Sequence, residues 1–288
     1  MTNQYKSIIS IAISCSFAMT INACNSQNSN VAKTSESIDV LNNFEDIETL
    51  DSVVTKDSLS VEDSKESIKV IDTTSVISNP SKTIMTAADY HREFVKMGFV
   101  DVQTLDPSIH VDLKYSSVDN FMGKNMYGDL YKAYLRPEIA DMVVKAQKYL
   151  KEVNPEYSLV IYDAARPLSA QRMMYEKVQG TKFSDYVAKP VNGGGYHNYG
   201  CAVDVTILYK GKPLDMGAGF DEFSEMSHIN NEKQNLEKGK LSQEAYDNRQ
   251  VLRNAMKKAG FDTYKCEWWH FQHYTKQYMR SHFKSIDF

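Results

Sequence analysis

Apolar and polar residues alternate with two different periods along residues 86–288. After Pro137, a residue suited to the first turn of a helix, apolar side chains recur every three or four residues as far as Leu150. This spacing predicts an amphipathic helix. In the segment 202–208, valine and isoleucine alternate with polar residues, which predicts a strand with one buried face.

The same two periods, together with capping residues and turn signals, predict the other elements. The predicted helices cover residues 86–97, 137–152, 169–179 and 242–260, three of them with Thr86, Ser169 and Ser242 as caps. The predicted strands cover residues 100–105, 109–115, 157–162, 202–208 and 264–271. Helices and strands follow no regular strand-helix-strand order. We therefore expect a single α+β domain with a largely antiparallel central sheet flanked by helices.

Residues 1–23 have the pattern of an export signal. Lys6 precedes an apolar stretch from Ser7 to Ile21, and small residues then lead to Cys24. Such a segment is removed and takes no part in the fold. It is similar to a bacterial lipoprotein signal, in which the cysteine is lipidated, so we expect an exported, membrane-anchored lipoprotein facing the periplasm or cell envelope. The alternative is a plain secretory signal in which Cys24 has no role.

Residues 24–85 differ in composition from the rest of the chain. From residue 25 onward they contain no glycine, Phe44 as the single aromatic residue, and eleven acidic residues against five lysines. Such a stretch buries too little apolar surface to offset the entropy lost on ordering. We interpret it as a disordered acidic tether, rich in serine and threonine, that precedes a folded domain at residues 86–288.

Charge and cysteine content exclude several classes of protein. The chain has 33 basic and 37 acidic residues and a net charge of -4, which argues against nucleic acid as a partner. After the signal there is no apolar run long enough to cross a bilayer, so membrane contact is expected only through Cys24. Four cysteines without CxxC spacing indicate that any metal site depends on histidine and carboxylate. No obligate protein partner is evident.

Two short strings carry the candidate chemistry. His197 and Asp204 flank Gly200, and Glu267 and His270 flank a pair of tryptophans. Two imidazoles and two carboxylates suffice for three metal ligands and one additional acid, as in hydrolytic zinc sites. Residues an odd number apart face opposite sides of an ideal strand. We therefore expect His197 in the loop before its strand and an irregular backbone near Glu267.

For any one of these residues, an ordinary structural role is the competing interpretation. A single aspartate in a strand is usually solvated, and a single histidine is usually a hydrogen-bonded surface group. Asp204, however, lies between two valines in a strand whose other face is apolar. Together with the glutamate and histidine of the second string, this placement favours a metal site at the sheet.

Three strings resemble those of the zinc-dependent D-alanyl-D-alanine dipeptidases: Tyr162–Pro167, His197–Asp204 and Glu267–His270. Further agreement lies at residues 112–115, 119–121, 214–217 and 261–264. The motifs follow the family's order and spacing across nearly all of residues 100–272. The resemblance implies a zinc metallopeptidase that hydrolyses D-alanyl-D-alanine or a similar small cell-wall dipeptide.

The resemblance also assigns roles to individual residues. It implies that one Zn²⁺ per chain is held by His197, Asp204 and His270, with water at the fourth position. Glu267 is then the general base that takes a proton from the water and passes it to the departing amine. Arg166 stabilises the oxyanion.

The substrate-binding residues implied by the resemblance are Asp221 and Tyr115. Asp221 matches the position that binds the free ammonium of a D-amino-acid dipeptide, and Tyr115 lines the same pocket. Two alternatives remain open at this point. One is a D,D-carboxypeptidase acting on longer peptidoglycan peptides, and the other is a non-catalytic cell-wall binding lipoprotein.

Three residues differ from the family pattern. Gly195 stands where family members often have serine, which removes a hydrogen bond to substrate. Cys201 and Cys266 each lie a few residues from a ligand of the same metal, and export places them in an oxidising compartment. We expect a disulfide between them. Two buried free thiols, or a cysteine that ligates zinc, are the alternatives.

Overall fold

The computed structural model describes residues 85–288, so the expected signal, Cys24 and nearly all of the tether lie outside the described residues. The described residues form one α+β domain. Its helices are α1 (Ala87–Lys96), α2 (Val102–Leu105), α3 (Pro137–Val153), α4 (Leu168–Val178), α5 (Glu232–Glu237), α6 (Gln243–Lys258) and α7 (Lys276–His282). Its strands are β1 (Val100–Asp101), β2 (His110–Val111), β3 (Tyr134–Leu135), β4 (Tyr157–Asp163), β5 (Ala202–Tyr209), β6 (Lys212–Pro213), β7 (Asp262–Thr263) and β8 (His270–Gln272).

The central sheet has the strand order β2-β4-β5-β8-β7, with β6 paired to β5, and β1 pairs with β3 in a separate ribbon. β5 runs antiparallel to both β4 and β8. β6 and β7 also pair antiparallel with their neighbours, so the sheet is largely antiparallel, as expected, and the parallel pairing of β2 with β4 is the one departure among the described strands. The connection between β2 and β4 contains α3, and a crossover of this kind joins parallel strands.

The capping residues identify most helix starts correctly. Thr86 and Asp89 form a reciprocal capping box at α1, and the Ser242 hydroxyl accepts a hydrogen bond from the Ala245 amide at α6. Pro137 is the first residue of α3. The expected Ser169 cap is wrong, because α4 begins at Leu168, directly after a proline.

Three predicted strands are shorter than expected. The strand predicted from Val100 ends after two residues, because the Asp101 carboxylate accepts a hydrogen bond from the Gln103 amide and starts α2. The strand predicted over residues 109–115 is limited to β2 and is followed by a 3₁₀ turn. Between β7 and β8 the chain turns irregularly instead of forming one strand over 264–271. Local side-chain and turn hydrogen bonds override the apolar pattern at these places.

The two faces of β5 have different environments. Val203, Val205 and Ile207 are fully buried in one apolar core that also includes residues of α3 and α6. Asp204 and Thr206 lie on the opposite face and are also buried. The core therefore anchors β5 by one face and leaves polar side chains on the other. Within residues 85–288, no helix has both the length and the apolar character that crossing a bilayer requires.

We expect Gly200→Ala to destabilise the domain more than Gly211→Ala. Both glycines have a positive φ, at 66° and 78°. A methyl group at Gly200 would overlap the Phe99 ring, whereas one at Gly211 would meet no atom within 4 Å. Backbone strain alone costs roughly 1 kcal/mol, and strain plus overpacking roughly 3 kcal/mol. Urea unfolding would measure the free energies, and equal losses for the two variants would contradict the packing argument.

Candidate metal centre and active site

His197 lies in a 3₁₀ turn, Tyr196–Tyr199, immediately before β5. Gly200 ends this turn in the left-handed conformation, and its amide donates to the His197 carbonyl. The position before the strand confirms the expectation that followed from strand alternation. The turn directs the imidazole towards the polar face of β5, where His197 is only 7% exposed.

The other two predicted ligands face each other across the sheet. Asp204 of β5 pairs with His270, the first residue of β8, in antiparallel register. Both side chains are buried, on the face of β5 that is opposite the apolar core. Backbone pairing thus brings together residues that are 66 positions apart in the chain.

Three ligand atoms, from His197, Asp204 and His270, lie within 4.8 Å of one another. The His197 Nε2 atom is 3.1 Å from His270 Nδ1 and 3.3 Å from Asp204 Oδ1. His270 Nδ1 is 3.1 Å from the same carboxylate oxygen. The three side chains therefore converge on one point, as metal ligands do.

Hydrogen bonds on the outer side of both imidazoles determine which nitrogens face this point. His197 Nδ1 lies 2.8 Å from the Ala164 carbonyl, and His270 Nε2 lies 3.1 Å from Gln272 Oε1. Both oxygens only accept, so these nitrogens carry the protons of the neutral rings. The remaining lone pairs then point at each other and at the Asp204 carboxylate. A divalent cation between them fits this donor set, since two imidazoles and a carboxylate suit zinc.

The pKa shifts indicate that the site attracts positive charge. Burial alone would lower the pKa of His197, but the Asp204 and Asp163 carboxylates outweigh it and raise that pKa. Burial alone would raise the pKa of Asp204, but His197 and His270 hold it well below its usual range. Both pKa shifts, that of His197 and that of Asp204, therefore show that a positive charge is favoured among the three side chains.

Glu267 lies beside the three ligands. It is in the irregular segment before β8, as expected, and its Oε2 atom is 3.8 Å from His270 Nδ1. Burial raises the pKa of Glu267 to about 8, although His270 partly opposes the shift. A cation at the ligands would lower this pKa, so the carboxyl group is placed to exchange a proton near neutral pH.

Arg166 is fixed by several hydrogen bonds at the end of β4. Its Nε atom donates to Asp163 Oδ2 at 2.9 Å, Nη2 donates to the same oxygen, and Nη1 donates to Gln171 Oε1 at 2.9 Å. Asp163 also accepts from the Tyr127 hydroxyl at 2.6 Å. Burial alone would lower the pKa of Arg166, but Asp163 outweighs it, so the guanidinium stays charged.

Asp221 and Tyr115 lie together at another wall of the site. The Tyr115 hydroxyl donates to Asp221 Oδ1 at 2.8 Å, and the Phe121 amide donates to Oδ2 at 3.3 Å. Burial nonetheless raises the pKa of Asp221 to about 7. Asp221 also borders a larger cleft of about 950 Å³ that includes Thr206, so it stands in the wall between two cavities.

One cavity of about 320 Å³ contains all seven predicted ligand, catalytic and substrate-binding residues. These are Tyr115, Arg166, His197, Asp204, Asp221, Glu267 and His270. The polar groups therefore meet in a single concave space, as in small-molecule sites.

The expected disulfide is wrong, because Cys201 and Cys266 are both free thiols in the structure. β5 and β8 run antiparallel, and the His273 amide donates to the Cys201 carbonyl. Cys201 is thus level with a residue seven positions beyond Cys266. The two thiols lie towards opposite ends of the paired strands, and neither belongs to the group of metal-ligand atoms.

Sequence reasoning missed the residues that hold the others in place. Asp163 and Gln171 fix the Arg166 guanidinium, and Gln272 sets the tautomer of His270. Asp163 stands three residues before the arginine in one of the recognised strings, which was a usable signal. Gln272 lies two residues after His270, and this spacing in the sequence predicts that both side chains share one face of the strand.

Comparisons with known proteins identify a family and several relatives. Residues 95–287 match the family model Peptidase_M15, described as D-ala-D-ala dipeptidase. The chain is similar to the D-alanyl-D-alanine dipeptidase of Escherichia coli K12, with 34% identity over 60% of this chain and 83% of the relative. It is also similar to that of Enterococcus faecium, with 28% identity over 66% of this chain and 98% of the relative.

We expect the protein to bind one Zn²⁺ per chain through the three converging side chains. Asp204→Ala and His270→Ala each remove a ligand, and we expect them to weaken binding by more than about 100-fold, since even outer partners cost 10- to 100-fold. The matched control is His228→Ala, because that imidazole hydrogen-bonds the Tyr186 hydroxyl at 2.9 Å and lies outside the ligand group. Competition with a chromophoric chelator measures the affinity. Unchanged affinity in both ligand variants would contradict the assignment.

Proposed function

Because the chain belongs to the Peptidase_M15 family of D-alanyl-D-alanine dipeptidases and is therefore a hydrolase, we propose that it cleaves D-alanyl-D-alanine or a similar small cell-wall dipeptide. One observation carries the proposal. Two imidazoles and the Asp204 carboxylate converge beside the buried Glu267, in a cavity that also holds Arg166.

The ligand residues of the proposal are His197, Asp204 and His270, which would hold one zinc ion. When bound, zinc supplies a Lewis acid that polarises the peptide carbonyl and lowers the pKa of water towards neutrality. The outer hydrogen bonds to Ala164 and Gln272 orient His197 and His270, respectively. Those contacts keep the donor nitrogens directed inward before any substrate arrives.

Glu267 performs the proton transfers in the proposed reaction. Its ionised carboxylate takes a proton from water as the water oxygen bonds to the peptide carbon. The protonated carboxyl group then donates to the amide nitrogen as the carbon–nitrogen bond breaks, so one group serves as base and then as acid. The position of Glu267 supports this double role, because its buried carboxyl group lies 3.8 Å from Nδ1 of His270, beside the point on which the ligand residues converge.

Arg166 stabilises the negative charge that develops on the carbonyl oxygen. A guanidinium has five N–H bonds, and three of those of Arg166 are directed at Asp163 and Gln171. Two remain to donate to the oxyanion. A donor held in place before the reaction requires no reorganisation as the charge forms.

Substrate length is limited at Asp221 and Tyr115. The Asp221 carboxylate suits the free ammonium of a dipeptide, and the cavity of about 320 Å³ is near the lower end of the usual range for small-molecule sites. These two features favour a dipeptidase over a D,D-carboxypeptidase. Retention of His197, Asp204, His270, Glu267 and Arg166 argues against a non-catalytic binding lipoprotein.

The proposal also includes export and a lipid anchor. Residues 1–23 would be removed, Cys24 lipidated, and residues 24–85 would separate the enzyme from the membrane. A cell-wall substrate is consistent with this location, because cell-wall peptides are outside the cytoplasmic membrane.

We expect Glu267→Gln to abolish most of the hydrolysis without removing the metal. The amide keeps the shape of the side chain but does not accept the proton, so kcat should fall about 1000-fold, within the usual range for general-base loss. Amino-acid release from D-alanyl-D-alanine measures the rate, and metal analysis should still give one zinc per chain. Undiminished activity would refute the assignment of the base.

We expect kcat/KM for the dipeptide to rise with pH around neutrality because of Asp221. Its raised pKa of about 7 leaves the carboxyl group neutral below that pH and charged above it. Since only the charged form attracts ammonium, kcat/KM should rise roughly tenfold between pH 6 and pH 7.5 for a single titrating group. In Asp221→Asn this contribution should be absent, while titration of the substrate and of other groups remains.

Acetylation of the substrate's amino group separates the two enzymatic alternatives. A dipeptidase that uses Asp221 should cleave the N-acetyl dipeptide poorly, and Asp221→Asn should change that rate little. Preferred cleavage of acetylated or longer peptides would favour the D,D-carboxypeptidase instead.

A further inference from the structure

A lysine stands at the rim of the active-site cavity without a partner. Lys276 is the first residue of α7 and lines the same cavity as the three ligand residues. Its side chain is exposed, and within residues 85–288 it forms no ion pair or hydrogen bond. No proposed role of the site uses it.

The neighbouring charges distinguish Lys276 from Arg166, the other positively charged side chain that lines the cavity. Arg166 already faces the Asp163 carboxylate, which accepts two of its N–H groups. Of the other carboxylates that line the cavity, Asp185 is the one without a proposed role, and it does not pair with Lys276. Lys276 is thus the one lining lysine or arginine, among the described residues, whose charge is not balanced by a neighbour.

The order of residues along β5 indicates that Asp221 and Lys276 border opposite ends of the ligand group. Asp221 borders the cleft that also includes Thr206 of β5. Lys276 follows the end of β8, where Gln272 pairs with Ala202. Along β5, Asp204 stands between Ala202 and Thr206. A dipeptide whose ammonium binds Asp221 would then extend past the metal ligands towards Lys276.

Position 195 supplies no side-chain donor to the cavity. Gly195 lines the cavity without a side chain, and a Cβ atom there would lie 2.8 Å from Ala188 Cβ. Its amide is already used, since it donates to Asn198 Oδ1 at 2.9 Å. A hydroxyl side chain does not fit at this position without movement of the neighbour.

We propose that Lys276 binds the C-terminal carboxylate of the substrate and so restricts cleavage to peptides that end one residue after the scissile bond. The inference rests on the proposed dipeptidase function and adds a specificity residue to it. Near neutral pH a dipeptide carries one ammonium and one carboxylate. Asp221 and Lys276 then offer the ammonium and the carboxylate, respectively, a group of opposite charge.

The test compares D-alanyl-D-alanine with its C-terminal carboxamide in the zinc-loaded protein. The wild type should prefer the free acid by about 10- to 100-fold in kcat/KM, the range for one charge-assisted hydrogen bond. In Lys276→Met the preference should shrink to less than about threefold, mainly through a higher KM for the acid. Lys276→Arg should restore most of it.

Lys189→Ala is the matched control, because this exposed lysine follows Ala188 but does not line the cavity. It should keep the wild-type preference. An unchanged preference in Lys276→Met, or equal loss in Lys189→Ala, would overturn the role of Lys276 while the dipeptidase function stands.

A binding measurement keeps the two proposals separable. Calorimetry with zinc-loaded Glu267→Gln compares the affinities for acid and amide without cleavage. If the wild type cleaves neither compound, the proposed function fails. The role of Lys276 is then decided by binding alone, and equal affinities for acid and amide would reject it.

Discussion

Asp204 faces His270 across the antiparallel pairing of β5 and β8, and a slip of that pairing by one residue would turn one of them to the other side of the sheet. The valines of β5 resist such a slip, because their burial in the apolar core fixes which face is inward. The positions of the ligands are thus maintained by hydrophobic packing on the opposite face. His197 joins them from a turn whose exit is fixed by Gly200.

Burial of several charges follows from this arrangement, and hydrogen bonds compensate the charges of Asp163 and Arg166. Asp163 is the centre of the network, since it receives the Arg166 guanidinium and the Tyr127 hydroxyl. Removing one member of such a network leaves an uncompensated charge, which costs more than the pair contributes. The same residues that stabilise the interior therefore also keep the cavity polar and rigid.

Periodicity and caps predicted α1, α3 and α6 well, because each combines a buried stripe with a local start signal. They failed at Val100–Leu105, where the Asp101 carboxylate begins a helix after two extended residues. Spacing predicted that His197 precedes its strand and favoured a metal site shared by the two strings, but it did not assign a role to each residue. The resemblance to known dipeptidases supplied those roles. Contacts such as Gln171 to Arg166 depend on tertiary packing that periodicity does not encode.

The expected disulfide was wrong because it was inferred only from the short distance in sequence between each cysteine and a metal ligand. The two strands run in opposite directions, so Cys201 and Cys266 lie apart although each is near a ligand of the same site. Cys201 is buried, and burial raises its pKa to about 12, so the thiolate needed for exchange is scarce. The folded state of residues 85–288 therefore contains no oxidised cysteine pair. Folding of this domain therefore depends on no covalent cross-link between these cysteines, and a reducing cytosol should be as suitable for producing it as an oxidising compartment.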